Sequence, residues 1–234
     1  MKSVAGVTAA GFLIASQVAA APTVETNQPV VITVRTYDYI GVVPQDMARA
    51  QAEAGAILQA AGIETRWLTC WFIDRAAAPV SIECGQAPTP NGLLLRLVQS
   101  PAALSAREAS HVTHVRAVQR SPETVVLGYS FVDFRVGSGS LSTVYPDRIT
   151  TMAETSGIDP GTHLGRVMAH EIGHLLLGTR EHARQGLMRA RWSQPELHRH
   201  ASEDWLFSDG DALRMRHGIR TRDLGVDGHV SGSR

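Results

Sequence analysis

Residues 167–177 read Val167-Met168-Ala169-His170-Glu171-Ile172-Gly173-His174-Leu175-Leu176-Leu177. Apart from two histidines and one glutamate, the stretch is apolar. Three polar side chains in an otherwise buried helix are costly unless they are paired or hold a metal ion. On an α-helix, residues four apart differ by roughly 40° in azimuth and ~6 Å in height. The imidazoles of His170 and His174 therefore leave one face and can converge on a single cation. Glu171 stands beside the first histidine and can reach a water on that cation without coordinating the cation itself. A structural site gains nothing from this carboxylate, whereas a hydrolytic zinc site needs it as a general base. The competing reading is an amphipathic core helix with stray polar residues, and the apolar context opposes it.

Zinc in a hydrolytic site takes three protein ligands and keeps one position open. Gly178 ends the apolar run and suits a left-handed C-terminal cap, which turns the chain back. His182 follows four residues later and is the first candidate for the third ligand, ahead of Gly186-Leu187-Met188. Two downstream glutamates compete, Glu196 and Glu203. Glu196 also has a structural role open to it, because Ser193-Gln194-Pro195-Glu196 reads as a capping box with proline in the first turn. An exposed helical position suits Glu203, and a solvated loop position suits Glu181.

The run His170-Glu171-x-x-His174-x-x-x-Gly178-x-x-x-His182, with Met188 after it, resembles the extended motif of the metzincin clan of zinc-dependent endopeptidases. The resemblance covers about twenty residues, of which the first five are strict. It implies that His170, His174 and His182 are zinc ligands, that Glu171 is the general base, and that Met188 lies in a tight turn beneath the metal. It also implies a cleft between a larger sheet half and a smaller helical half, with a peptide or protein substrate paired to a sheet-edge strand. The family has two residues in each gap flanking the glycine, and this chain has three. The loop to His182 is therefore longer by two residues, and the resemblance is to a divergent variant. In gluzincin-type peptidases, the alternative, a later glutamate completes the site.

The N-terminus reads as a secretory signal peptide over residues 1–21. Met1-Lys2 supplies the positive start, residues 4–20 are small and apolar, and Val18-Ala19-Ala20 and Ala19-Ala20-Ala21 both fit a small-x-small cleavage rule. The apolar part is short for a membrane span of ~20 residues, so cleavage is favoured over an anchor, and no later segment is suited to crossing a bilayer. The expected location is secreted or periplasmic, without stable membrane insertion after cleavage. Residues 22–220 are one domain of a size that buries its own core, and residues 221–234 read as a disordered tail rich in Gly, Ser and charge. With 22 basic and 22 acidic side chains and no basic stripe, nucleic acid is not an expected partner. Export makes a Cys70–Cys84 disulfide the default over two buried thiols. A monomer is expected.

Val30–Arg35 reads as a strand, Pro44 to about Ala61 as a helix, and Ile63–Leu68 as a second strand. That order implies a right-handed crossover between parallel strands. Further strands are expected at 93–98 and 124–131, with a turn or flexible loop at 137–140 and a short strand at 142–145. The last is the candidate substrate-binding edge. Helices are expected at 147–157, from Asp159-Pro160 to Leu177, and at 194–201 and 209–217. The fold class is α+β: a mixed twisted sheet with flanking helices, the motif helix and a small helical C-terminal part. His163 reads as a partly exposed histidine near a helix start. His198 and His200, and His111 and His114, lack the spacing or the acidic neighbours of a site. Tyr145, Arg180 and Arg189 are the candidates for stabilising an oxyanion.

Two functions compete on this reading. One is a zinc-dependent peptidase. The other is a binding module that keeps zinc for stability on a peptidase-like scaffold. Glu171 opposes the second, and the lengthened loop favours it. Hydrolysis of a non-peptide amide is a third possibility.

Overall fold

The computed structural model describes residues 29–72, 81–101, 125–198 and 202–230. The expected signal peptide, and His111, His114 and His200, lie outside the described residues.

Strand β1 (Val30–Asp38) leads into helix α1 (Pro44–Ala60) and strand β2 (Ile63–Phe72). As the strand–helix–strand order predicts, β1 and β2 are parallel. Strand β3 (Gly92–Leu97) pairs parallel on the other side of β1, and β5 (Ser138–Val144) pairs parallel with β3. Strand β4 (Gly128–Asp133) adds antiparallel to β5, giving the order β2-β1-β3-β5-β4. Strand alternation sets the core: Ile32 and Val34 of β1 and Leu93, Leu95 and Leu97 of β3 are buried, while Val31 is exposed. The opposite face carries Arg35, buried and held by the carbonyls of Gln86 and Ala87. A disulfide joins Cys70 on β2 to Cys84.

Helix α2 (Pro146–Ser156) and helix α3 (Pro160–Leu177) follow the sheet. Helix α3 carries the His-Glu motif and packs against α1, α2, β4 and β5. Its start is set by Asp159, whose side chain accepts from the Thr162 amide at 2.7 Å, with Pro160 in the first turn. Its end is set by Gly178 at φ 65°, a left-handed conformation that costs glycine least. A short helix α4 (Gln194–Leu197) and a final helix α5 (Asp209–Val230) complete the described fold.

The structure corrects three expectations. Residues 138–140 are strand rather than loop. Their Gly-Ser composition suits a flexible turn, but pairing with β4 through Ser138–Asp133 and Gly139–Val132 gives the backbone its hydrogen bonds, and the turn proper ends at Gly137. Residues 142–145 are not the sheet edge. Ser142 and Thr143 sit on β5, between β3 and β4, and are buried, and among the described residues the edge at this end of the sheet is β4. The last helix does not stop near 217 but continues through 221–230, where a tail was expected. Arg222 anchors this extension by donating to the Leu175 carbonyl of α3 at 2.9 Å.

Asp159 receives hydrogen bonds from the backbone and hydroxyl of Thr162 and an ion pair from Arg49 at 2.6 Å. Burial alone would raise its pKa, but these partners outweigh burial and hold the carboxyl below its ordinary value. A depressed folded-state pKa contributes stability that is present above the unfolded value and lost as pH falls through the folded one. Asp159→Ala should therefore lower stability to urea unfolding by about 0.5–2 kcal/mol at neutral pH. The gap between variant and wild type should narrow as the pH is lowered below the ordinary aspartate range.

Candidate metal centre

Three imidazoles, those of His170, His174 and His182, come together. His170 and His174 come from consecutive turns of α3, and His182 comes from the loop after Gly178. One ring nitrogen from each lies within 4.8 Å of the others. The rings of His170 and His174 are nearly perpendicular at 4.7 Å, and His182 lies 4.9 Å from His174 and 5.4 Å from His170. His170 and His174 are buried, and His182 is exposed.

Hydrogen bonds behind the rings decide which nitrogen faces inward. Nδ1 of His170 lies 2.9 Å from the Leu187 carbonyl, and Nδ1 of His174 lies 2.9 Å from the Thr179 carbonyl. A carbonyl only accepts, so both Nδ1 atoms carry the proton and donate. Each Nε2 is then a lone pair, and the two stand 3.1 Å apart. Burial is the main force lowering both pKa values, to about 3 for His170 and about 4 for His174. His182 is also lowered by burial. Neutral rings facing each other with lone pairs repel unless a cation lies between them. Two nitrogens ~2.0 Å from one tetrahedral ion stand about 3.3 Å apart, so the spacing fits a metal. Three neutral imidazoles are a donor set suited to zinc, and carbonyl contacts of this kind fix the tautomer in such sites.

The backbone beneath the site is tied at several points. Ala183, next to His182, donates to the Met188 carbonyl at 2.7 Å, and Leu187 donates to the Leu206 carbonyl at 2.9 Å. Met188 is buried under α3 at Gly173. A Cβ at Gly173 would stand 2.7 Å from the Met188 sulfur and 2.6 Å from a Phe207 ring carbon, so only glycine admits this contact. The segment that lengthens the loop contains Thr179, whose carbonyl orients His174 and whose hydroxyl accepts from the Glu181 amide.

Glu196 is not drawn to the histidines. One carboxylate oxygen pairs with Arg189, and the other accepts from the Ser193 amide and hydroxyl, completing the capping box. Glu203 lies in a short 3-10 turn (Ser202–Trp205). Glu181 is exposed. His163 is fully buried rather than partly exposed, 5.8 Å from the Trp192 ring. Burial first, and then the charge of Arg166, lowers its pKa to about 4. Trp192 also meets the edge of His170 at 5.6 Å and Trp205 at 5.3 Å, so an aromatic layer that sequence spacing could not reveal lies behind His170. His198 is exposed at the end of α4.

Glu171 is buried beside the cluster, and burial pushes its carboxyl up to about 7, opposed by a hydrogen bond from Ser130. A cleft of about 450 Å³ opens over His170, Glu171 and His182, walled by residues 125–128 on one side and 189–192 on the other. Arg189 lines this cleft but is engaged by Glu196 and by the Gly186 carbonyl. Arg180 lines a separate hollow at the far end of the β4–β5 hairpin. Tyr145 is buried at the start of α2, where burial and then Tyr129 raise its pKa, and it does not line the cleft.

No family model matches the chain, and no curated protein matches it. Solved structures overlap it, two among them being the following. An archaemetzincin from Methanopyrus kandleri has 14% identity and a TM-score of 0.42, and the match covers 84% of this chain and 98% of that one. A zinc-dependent peptidase from Methanocorpusculum labreanum has 12% identity and a TM-score of 0.45, and the match covers 78% of this chain and 99% of that one. At these scores the likeness says nothing about chemistry, which rests on the site itself.

A carboxyl whose folded-state pKa lies above its unfolded value weakens the fold as pH rises through the folded value. Metal-free Glu171→Gln protein should therefore be more stable than the metal-free wild type at pH 8, by on the order of 1–3 kcal/mol. The difference should shrink at pH 5. Denaturant unfolding in a chelator at both pH values measures it.

Proposed function

We propose that this chain is an exported zinc-dependent metallopeptidase that hydrolyses internal peptide bonds, with His170, His174 and His182 as zinc ligands and Glu171 as general base. The observation that carries this reading is the pair of Nε2 lone pairs 3.1 Å apart beside a buried carboxylate. Zinc, when bound, supplies Lewis-acid activation of a water and polarises the carbonyl under attack. Glu171 accepts the proton of the attacking water and delivers it to the leaving amine. A carboxyl raised to about 7 by burial is matched to both transfers near neutral pH.

Extended peptide backbone is the substrate class suggested by the cleft. Strand β4 ends the sheet at the cleft wall, and among the described residues no further strand pairs with its outer edge. Main-chain pairing to such an edge accepts many sequences. Export is supported by the leader-like residues 1–21 and by the Cys70–Cys84 disulfide, a bond typical of oxidising compartments. Among the described residues no helix is long and apolar enough to cross a membrane.

Cleavage of a peptide library by zinc-loaded protein tests the reading. Glu171→Gln should retain zinc and lose ~10²-fold or more in turnover. A Glu171→Gln protein as active as wild type would refute the mechanism, and a wild type that cleaves nothing would favour the zinc-stabilised binding module. His182→Ala should weaken zinc binding markedly while leaving the His170 and His174 contacts intact. Zinc retained at full affinity in that variant would point to another third ligand.

A further inference from the structure

The edge strand does more than wall the cleft, because its inward face grips the general base. Strand alternation turns Gly128 and Ser130 toward α3, while Tyr129 and Phe131 are exposed on the other side. Ser130 is 8% exposed, and its hydroxyl oxygen lies 2.7 Å from Oε2 of Glu171. The same oxygen lies 2.8 Å from the Glu171 carbonyl and 2.7 Å from the Ser142 hydroxyl of β5. At Gly128 the fit is steric: a Cβ there would stand 2.9 Å from Oε1 of Glu171 and 2.9 Å from the Thr143 carbonyl. Oε1 therefore lies against bare backbone, and Gly128 and Glu171 both line the cleft with His170 and His182.

We propose that Ser130 is a positioning residue for Glu171: its hydroxyl engages Oε2, so that Oε1, lodged in the space left by Gly128, is the oxygen that takes and returns the proton. The inference rests on the peptidase reading above. Proton accounting supports it. Ser130 has one hydroxyl proton. With Glu171 ionised, that proton goes to Oε2, and Ser142 can donate to the Ser130 oxygen. When Oε1 gains a proton, Oε2 remains an acceptor and the Ser130 bond persists unchanged. Protonation at Oε2 would instead force the Ser130 hydroxyl to turn to the Glu171 carbonyl or to the Ser142 oxygen. The Oε1 route needs no rearrangement of buried hydroxyls, and it holds the carboxylate plane fixed through both proton transfers. It also couples the base to the strand on which the peptide would pair, so a shift of β4 would move Glu171 with it.

The test compares zinc-loaded full chains of wild type, Ser130→Ala, Ser130→Thr, Glu171→Gln and the Ser130→Ala/Glu171→Gln double variant, with zinc content, kcat and KM measured for one cleaved peptide. Ser130→Ala should lose about tenfold in kcat, with KM and zinc content near wild type, the scale expected for removing a supporting hydrogen bond behind a site residue. Ser130→Thr, which restores the hydroxyl, should recover most of that loss. In the Glu171→Gln background, Ser130→Ala should change the residual rate less than twofold, because Ser130 acts only through the carboxylate. If Ser130→Ala keeps wild-type kcat, or loses zinc in proportion to activity, the positioning role is wrong while the peptidase reading stands. If wild type cleaves nothing, or Glu171→Gln is fully active, the peptidase reading fails and this inference falls with it.

Discussion

Two ring nitrogens with no proton between them are held 3.1 Å apart in the interior of this fold. That arrangement depends on the carbonyls of Leu187 and Thr179, which take the Nδ1 protons and so aim the opposite lone pairs at one point. Uncompensated, the geometry is repulsive. It is sustained by the packing of α3 on the sheet and by the tied loop below it. A cation is the natural partner for such a point, and three neutral imidazoles are a donor set that zinc favours.

The rest of the fold can be understood as support for that point. Asp159 and Gly178 set where α3 begins and ends, and so fix which residues face the cleft. Gly173 admits the Met188 sulfur, which places the Leu187 carbonyl under His170. Arg189, engaged by Glu196 and close to Asp204, braces the segment that follows. On the other wall, β4 supplies both the outermost strand of the sheet among the described residues and the inward hydroxyl that meets Glu171. The chemical groups and the expected peptide-binding edge are thus joined through one strand.

Local signals made much of this legible in the sequence. The apolar setting of His170, Glu171 and His174, the cap residues of α3, the capping box at Ser193 and the parallel β1–α1–β2 unit all follow from short-range patterns. What escaped depends on contacts distant in the chain. Strand order is one case: the short strand at 142–145 looked like an edge, yet β4 pairs outside it and takes that place. Tertiary anchoring is another, since Arg222 reaching Leu175 continues a helix whose composition suggests a tail. Glycine spacing is a third. Gly161 and Gly165 bring α3 onto α1, where added Cβ atoms would stand 2.8 Å and 2.6 Å from the Asp46 and Ala50 carbonyls, a closeness that no single-helix pattern records. The burial of His163, the Trp192 layer and the Ser130 contact all needed the fold to bring distant residues together.

The most direct test is diffraction from crystals of the protein grown with zinc, with data collected on both sides of the zinc absorption edge. The account predicts one anomalous peak at ~2.0–2.1 Å from a ring nitrogen of each of His170, His174 and His182, with Glu171 near but not bonded to it. A peak coordinated by Glu196 or Glu203 in place of His182, or no peak among the three rings at saturating zinc, would contradict it.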